Sequence, residues 1–201
     1  MRLKLWKKVG EPIVLAAKFG RKLLLQKFLT PTGEKKEFSQ FWMKDSSFVF
    51  PITKDGKVVT VRQYKQGRHA ITHELPAGIC DGRESGEVAA RRELLEETGY
   101  EAERMLYLGP TWPDSRCGVF VRHTYLALGC EKTAEPKNDP EEEIEVVILG
   151  LEEWLDLVLK GDEVAELTTL GITLKVLVYL SQSRLETISN MALCGLENLR
   201  K

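Results

Sequence analysis

Between Gly78 and Tyr100 the chain reads Gly-Ile-Cys-Asp-Gly-Arg-Glu-Ser-Gly-Glu-Val-Ala-Ala-Arg-Arg-Glu-Leu-Leu-Glu-Glu-Thr-Gly-Tyr, and no other stretch restricts the fold as tightly. Ser85 is suited to a helix N-cap, because its hydroxyl can accept from an amide of the first turn. Gly99 stands where a left-handed C-terminal cap is wanted. The spacing predicts a helix of about four turns between them. On it Glu93, Glu96 and Glu97 fall at i, i+3 and i+4, so three carboxylates share one face. Each like-charged pair at that spacing destabilises a helix by about 0.2–0.5 kcal/mol. Val88 and Leu95 fall on the far side and Ala90 and Leu94 on the flank, which leaves the acidic face to meet something cationic. A hard divalent ion fits best, since Mg2+ takes oxygen ligands, keeps several waters and bridges to phosphates. A merely solvated acidic face is the alternative.

The spacing decides between them. Gly78, five residues, Glu84, seven residues, Arg92-Glu93-Leu94, one residue, Glu96-Glu97, one residue, Gly99 and a bulky residue resembles the signature of the Nudix hydrolases, with every fixed position filled. Tyr100 departs mildly, because the family favours an aliphatic residue there. The resemblance implies an α/β fold, a Nudix-type α/β/α sandwich around a mixed β-sheet. It also implies Mg2+ (or Mn2+) held by Glu93, Glu96, Glu97 and the carbonyl of Ala77. Arg92 would orient a glutamate of the box, with Glu84 as its ion-pair partner.

Length and charge are compatible with this. The 201 residues suit one sizeable catalytic domain, and 29 basic against 30 acidic residues leave a formal charge of −1. Neither a nucleic-acid partner nor a basic, aromatic-studded stripe is indicated. Cys80, Cys117, Cys130 and Cys194 form no Cys-x-x-Cys pair, which argues against a zinc site or disulfide frame. No run of about 18 apolar residues is present to span a bilayer, and no signal-peptide pattern opens the chain. A cytoplasmic setting is the expectation.

Residues 1–46 carry apolar runs at Ile13–Lys18, Lys22–Thr30 and Phe38–Met43, punctuated by Gly20 and by Pro31-Thr32-Gly33. Leu23–Leu29 fits a strand or a helix on pattern alone. The layout resembles the β-rich N-terminal extension of ADP-ribose pyrophosphatases, which helps to build a homodimer. By that resemblance Trp42 or Trp6 would stack on a nucleotide base. An ordinary packing role is the alternative for either.

Residues 47–182 read as the catalytic domain. Phe48–Thr53 and Lys57–Gln63 are strand-like runs joined at Asp55-Gly56, a two-residue hairpin signal. A further strand over Ala70–Leu75 leads into Glu74-Leu75-Pro76-Ala77-Gly78, where Gly78 would permit a tight turn. This lead-in, and Arg62-Gln63-Tyr64 before it, resemble the ADP-ribose pyrophosphatase branch. Arg62 and Glu74 are the implied substrate contacts, Arg62 through a fork of donors suited to phosphate. A surface ion pair is the alternative for Arg62.

Arg104–Leu108 reads as a short strand, Gly109–Gly118 as a long loop and Val119–Leu128 as the strongest strand. The loop carries Pro113-Asp114-Ser115-Arg116 where the branch commonly has Pro-Gly and then a glutamate. That departure bears on the substrate rather than the reaction. Trp112 and Arg116 are candidate contacts to base, sugar or phosphate. Glu131–Asp139 predicts a mobile loop running into Pro140-Glu141-Glu142-Glu143 and a strand over Ile144–Leu149. By the resemblance a glutamate here serves as general base or further metal ligand, Glu142 first and Glu141 next. Leu151, Trp154, Leu155, Val158 and Leu159 mark an amphipathic helix stopped by Gly161, and Thr168–Ser181 a buried one. Residues 183–201 form a tail whose Leu185, Ile188, Ala192, Leu196 and Leu199 suggest a weaker helix.

The expected activity is Mg2+-dependent hydrolysis of the diphosphate in ADP-ribose or a nucleotide sugar. The alternatives are a dinucleoside polyphosphate, coenzyme A or RNA-cap substrate, or a non-catalytic nucleotide sensor. Retention of every box carboxylate favours the enzyme.

Overall fold

The computed structural model describes residues 3–137, 143–164 and 166–182. Two compact units emerge, one formed by Met1–Asp45 with Trp112–Val121 and the other by Ser46–Thr111 with Arg122–Lys201.

The first unit is a four-stranded sheet in the order β1-β2-β3-β10, with β1 at Lys7–Lys18, β2 at Arg21–Leu29, β3 at Lys35–Trp42 and β10 at Gly118–Val119. Phe19 and Gly20 both take positive φ (50° and 71°), the twist a tight hairpin needs, and Lys18 pairs with Arg21 across it. Leu23–Leu29, ambiguous from its pattern, is strand. Its alternation puts Leu24 and Gln26 inward, and β2 pairs with β3 from Lys22↔Trp42 to Leu29↔Lys35.

The second unit is an eight-stranded mixed sheet between helices. Its strands are β4 (Ser46–Thr53), β5 (Val58–Lys65), β6 (Ala70–Glu74), β7 (Ala77–Ile79), β8 (Tyr100–Glu101), β9 (Arg104–Thr111), β11 (Arg122–Lys132) and β12 (Ile144–Leu149). The main path is β12-β5-β4-β11-β8; β6 pairs with β5, β7 with β4 and β9 with β11. Only β4 and β11 run parallel to each other; the other pairs are antiparallel. The hairpin at Asp55-Gly56 forms, with Gly56 at φ 80°, but β4 and β5 pair only at Ile52↔Val58 and then separate. Below the turn β4 takes β7 as its neighbour instead, which brings Ala77–Ile79 beside Ser46–Phe48.

Both faces of β4 are covered, so its run is apolar without a polar side. Phe48, Phe50 and Ile52 join Leu126, Trp154, Leu155, Ile172, Val176 and Leu180 in one core, beneath α2 (Leu151–Lys160) and α3 (Leu167–Gln182). Val49 points the other way and joins Val59, Leu94, Tyr125, Ala127 and Cys130 beneath α1 (Gly86–Thr98). This is the expected α/β/α arrangement. In α1 the buried residues are Ala89, Ala90, Leu94, Glu97 and Thr98, while Val88 is 53% exposed. The packing face is therefore rotated from the expected one, and Glu97 turns inward with it.

Strand boundaries differ from expectation in several places: β1 opens at Lys7 rather than Ile13 and β3 at Lys35 rather than Phe38, and in the second half of the chain glycine is the cause twice. Gly129, at φ 66°, makes a bulge between Leu128 and Cys130, so β11 continues to Lys132. Glu131 and Lys132 are accordingly strand, paired with β8, where a loop was expected. Gly109, at φ 90°, lies inside β9 and lets it reach Thr111. The strand expected from Val119 is split, since Gly118–Val119 joins the four-stranded sheet and β11 starts at Arg122. The tail at 183–201 lies outside the described residues.

Candidate active site

The site is built on α1 and on the strand that precedes it. Ser85 caps the helix, accepting from Val88 N at 3.3 Å, and Gly99 closes it at φ 75°. Ser47 of β4 fixes the N-terminal end by donating to the carbonyl of Gly86 at 2.7 Å. A side chain at Gly86 would lie 2.8 Å from the Tyr125 hydroxyl, so glycine is what admits the helix so close to the sheet.

Arg92 organises the acidic face. Its Nη2 donates to Glu84 Oε1 (2.8 Å) and the Ile79 carbonyl (2.9 Å), and its Nε reaches Glu84 Oε2 at 3.4 Å. Its Nη1 donates to Glu93 Oε1 (2.7 Å) and Glu96 Oε2 (2.9 Å). All five guanidinium N–H donors are engaged. One edge ties the helix to the preceding loop, and the other bridges two carboxylates of the acidic face. The ion pair with Glu84 that the resemblance implies is present, and the length of the side chain lets the same guanidinium reach the acidic face as well.

The pairing with Glu84 is the first cause of the upward displacement of the Arg92 pKa, so the guanidinium stays charged at every relevant pH. The same bond holds the Glu84 carboxyl below the usual carboxylate range, helped by the amide of Asp81 donating to Glu84 Oε1 at 2.6 Å.

Glu97 is 7% exposed, and its Oε2 accepts from Ala77 N at 3.1 Å. Gly78 adopts no left-handed conformation; it sits in β7 opposite Ser47. Its role is steric rather than a turn. A Cβ there would collide with the carboxylate of Glu93, so the glycine makes room for that group. Position 78 thus carries a functional signal that turn chemistry does not explain.

Ala77, Glu84, Arg92, Glu93, Glu96 and Glu97 are therefore brought together. The donor set is entirely oxygen, which suits Mg2+ or Mn2+ over softer ions. Among the described residues, no three His, Cys, Asp or Glu side chains already converge as a metal cage. Mg2+ does not demand one, since it binds through one or two carboxylates, waters and substrate phosphates. The residues fit a hard divalent ion.

The other candidates lie elsewhere. Arg62, on β5, donates to Glu145 Oε2 at 3.0 Å, and its Nε lies 3.5 Å from Glu163 Oε2. Glu74 is 9% exposed and accepts from Thr72 Oγ1 (2.6 Å) and Gln63 Nε2 (3.4 Å), with Lys65 Nζ at 3.3 Å. Both are thus engaged within the sheet. Trp42 belongs to the other unit, with Lys22 Nζ 4.5 Å from its ring centre, as does exposed Arg116. Trp6 packs against Phe38 at 5.9 Å. Glu141 and Glu142 lie outside the described residues. Lys137, just before them, donates its N–H to the Glu96 carbonyl at 2.7 Å.

A buried polar chain escaped sequence reasoning. Thr60 Oγ1 donates to the Val147 carbonyl at 2.8 Å, so its contact with His73 Nε2 at 2.6 Å makes the imidazole the donor. No motif marks this pair; only alternation of the inward positions on β5 and β6 hints at it.

The NUDIX domain family model matches residues 30–166. The chain belongs to the Nudix family. It is 34% identical over 116 residues to the methanol dehydrogenase activator of Bacillus methanolicus and 33% identical over 116 residues to the ADP-ribose pyrophosphatase of Bacillus subtilis. Each match covers 55% of this chain and 60% of the relative's length. A crystal structure of an ADP compounds hydrolase superposes with a TM-score of 0.77 at 19% identity, covering 92% of this chain and 98% of the other. That likeness is one of fold. The Nudix assignment agrees with the Gly78–Gly99 spacing and with the convergence of its charged residues around Arg92.

Proposed function

We propose that this Nudix protein hydrolyses the diphosphate bond of a nucleoside diphosphate joined to a second moiety, with ADP-ribose or a nucleotide sugar as substrate. The observation that carries this reading is the Arg92-centred arrangement, in which Glu93 and Glu96 share one guanidinium nitrogen while Glu97 lies buried beside Ala77. The likeness to an ADP-ribose pyrophosphatase supports the choice of substrate.

Glu93, Glu97 and the carbonyl of Ala77 would hold Mg2+ or Mn2+, with Glu96 adding a further or water-mediated contact. Such an ion would supply positive charge against the diphosphate and make an attacking water more acidic. Arg92 and Glu84 keep the carboxylates aimed, and Gly78 leaves space for Glu93. Glu142, or else Glu141, takes the proton of the attacking water. Arg62, through its fork of donors, and Glu74 would contact the substrate by exchanging their present partners for it, and Trp42 and Arg116 are further candidate nucleotide contacts. Residues 1–46 serve dimerisation, 47–182 catalysis, and the site of action is the cytoplasm.

The test is product analysis after incubation with Mg2+ and ADP-ribose, ADP-glucose, GDP-mannose, a diadenosine polyphosphate or coenzyme A, with Glu97→Gln beside the wild type. AMP and ribose 5-phosphate from ADP-ribose, lost in the variant, is the expected result. Tight nucleotide binding without turnover of any candidate would replace the enzyme with a sensor.

A further inference from the structure

Arg62 and His73 are register partners on β5 and β6, so their side chains leave the sheet on one face. Beside them stands Glu163, from the connection between α2 and α3. A single oxygen, Glu163 Oε2, faces both, at 3.5 Å from Arg62 Nε and 4.0 Å from His73 Nδ1. Arg62 Nε is buried and has no hydrogen-bond partner among the described residues. His73 keeps its ring proton on Nε2, 2.6 Å from Thr60 Oγ1, so Nδ1 of the neutral ring is a lone pair that cannot bond a carboxylate. The backbone of Glu163 is meanwhile fixed. Its carbonyl accepts from His73 N at 3.2 Å and from Arg68 Nη1 at 3.2 Å. Only the carboxylate, 44% exposed, can change partner without moving the chain.

A proton on Nδ1 alters that choice. The cationic ring offers Glu163 a charged donor, and charge-assisted bonds are about twice as strong as neutral ones. The same charge repels the guanidinium of Arg62. The charged groups facing the ring are Arg62 on β5, Glu145 on β12 and Glu163 on the connection, while α2 brings only the uncharged Trp154, its ring 5.8 Å from the imidazole. Burial of the ring places its titration below the ordinary histidine value of about 6.5. We propose that Glu163 is a positioning residue for Arg62: it restrains the guanidinium while His73 is neutral and passes to His73 on protonation, which leaves Arg62 one partner fewer to exchange for the substrate diphosphate. The effect on substrate rests on the reading of Arg62 as a substrate contact.

Nitrogen-15 NMR of the full chain between pH 8 and pH 5 tests the exchange without substrate, beside His73→Gln and Glu163→Gln. The expected result is an Arg62 Nε–H signal that shifts with the midpoint of the His73 ring in the wild type and stays fixed in both variants. A ring that remains neutral to pH 5, an Arg62 signal indifferent to the ring, or one that follows it equally in Glu163→Gln would each overturn the proposal. Calorimetric binding of α,β-methylene ADP-ribose with Mg2+ reads the consequence. Wild-type affinity should rise by about threefold between pH 7.5 and pH 5.5, and by linkage the analogue should raise the His73 midpoint by about half a unit. Both variants should lack this pH dependence. Exchange seen by NMR with unchanged affinity would overturn the effect on substrate. If Arg62→Ala then binds the analogue as the wild type does, the fault lies in the reading of Arg62 and not in the exchange.

Discussion

The two faces of the eight-stranded sheet are put to different uses. Beneath α2 and α3 lie Phe50, Trp154, Leu126, Ile172 and Leu180, all nearly inaccessible, and the Trp154 indole donates to Thr173 Oγ1 at 3.1 Å. Beneath α1 the core is built from smaller or partly polar residues, Val49, Ala90, Ala127, Cys130 and Tyr125. Burial pushes the Cys130 thiol and the Tyr125 phenol each up to about 12, so neither offers reactive chemistry. Of the two cores, the first is larger and more aromatic. The second carries a helix whose side away from that core concentrates the half-buried Arg92, Glu93 and Glu96. Stabilisation and chemistry are thereby separated by the thickness of one sheet.

That separation can be broken from either side. Trp154→Ala removes the largest fully buried side chain and should cost about 3–5 kcal/mol of stability. Denaturant melts measure the loss, while kcat of the folded fraction should stay within about threefold, because Trp154 lies on the face away from α1. A large fall in kcat would mean that the faces are coupled.

Gly78→Ala should behave in the opposite way. The added methyl displaces the Glu93 carboxylate, and misplacement of about 1 Å near the chemistry costs about 100-fold in rate. Steady-state kinetics with thermal melts would register this as lost kcat at a nearly unchanged melting temperature. Wild-type kcat in Gly78→Ala would remove Glu93 from the site.

The smallest expected effect concerns His73, on the α2 and α3 side. Burial holds its pKa below the ordinary histidine value, although Glu163, with Oε2 4.0 Å from Nδ1, opposes the shift. A histidine with a depressed folded pKa contributes stability that is fully present above its unfolded pKa. That contribution is lost as pH falls below about 6.5. Melting temperatures of wild type and His73→Gln, compared from pH 8 to pH 5.5, should converge as the wild type loses this contribution. Parallel curves would show that His73 does not titrate in that window.

Much of this was legible in the sequence because local signals agreed with global packing. Ser85 and Gly99 bracket α1 as caps should, Asp55-Gly56 turns as a hairpin should, and Ile144–Leu149 is the strand its pattern predicts. The misreadings have physical causes. Gly109 was taken as the start of a loop and one strand was ended at Leu128, just before Gly129, but a sheet absorbs single glycines as irregularities in a continuing strand. Helical spacing alone placed Glu97 beside Glu93, yet not its burial, which depends on how α1 rolls against β4 and β7. The five-donor engagement of Arg92 was hidden for a similar reason. The motif puts it beside Glu93, whereas its contacts depend on where Ile79 and Glu84 come to rest.

The central claim is that the acidic face of α1 binds a divalent metal. Mn2+ titration followed by electron paramagnetic resonance, in the absence of nucleotide, tests it most directly on the wild type, Glu93→Gln and Glu97→Gln. Outer residues of a metal site already cost about 10–100-fold in affinity when removed, so loss of a ligand should do at least as much. The account predicts Mn2+ binding by the wild type and affinity at least about 100-fold weaker in both variants, with circular dichroism unchanged. Equal Mn2+ affinity in all three proteins would contradict it.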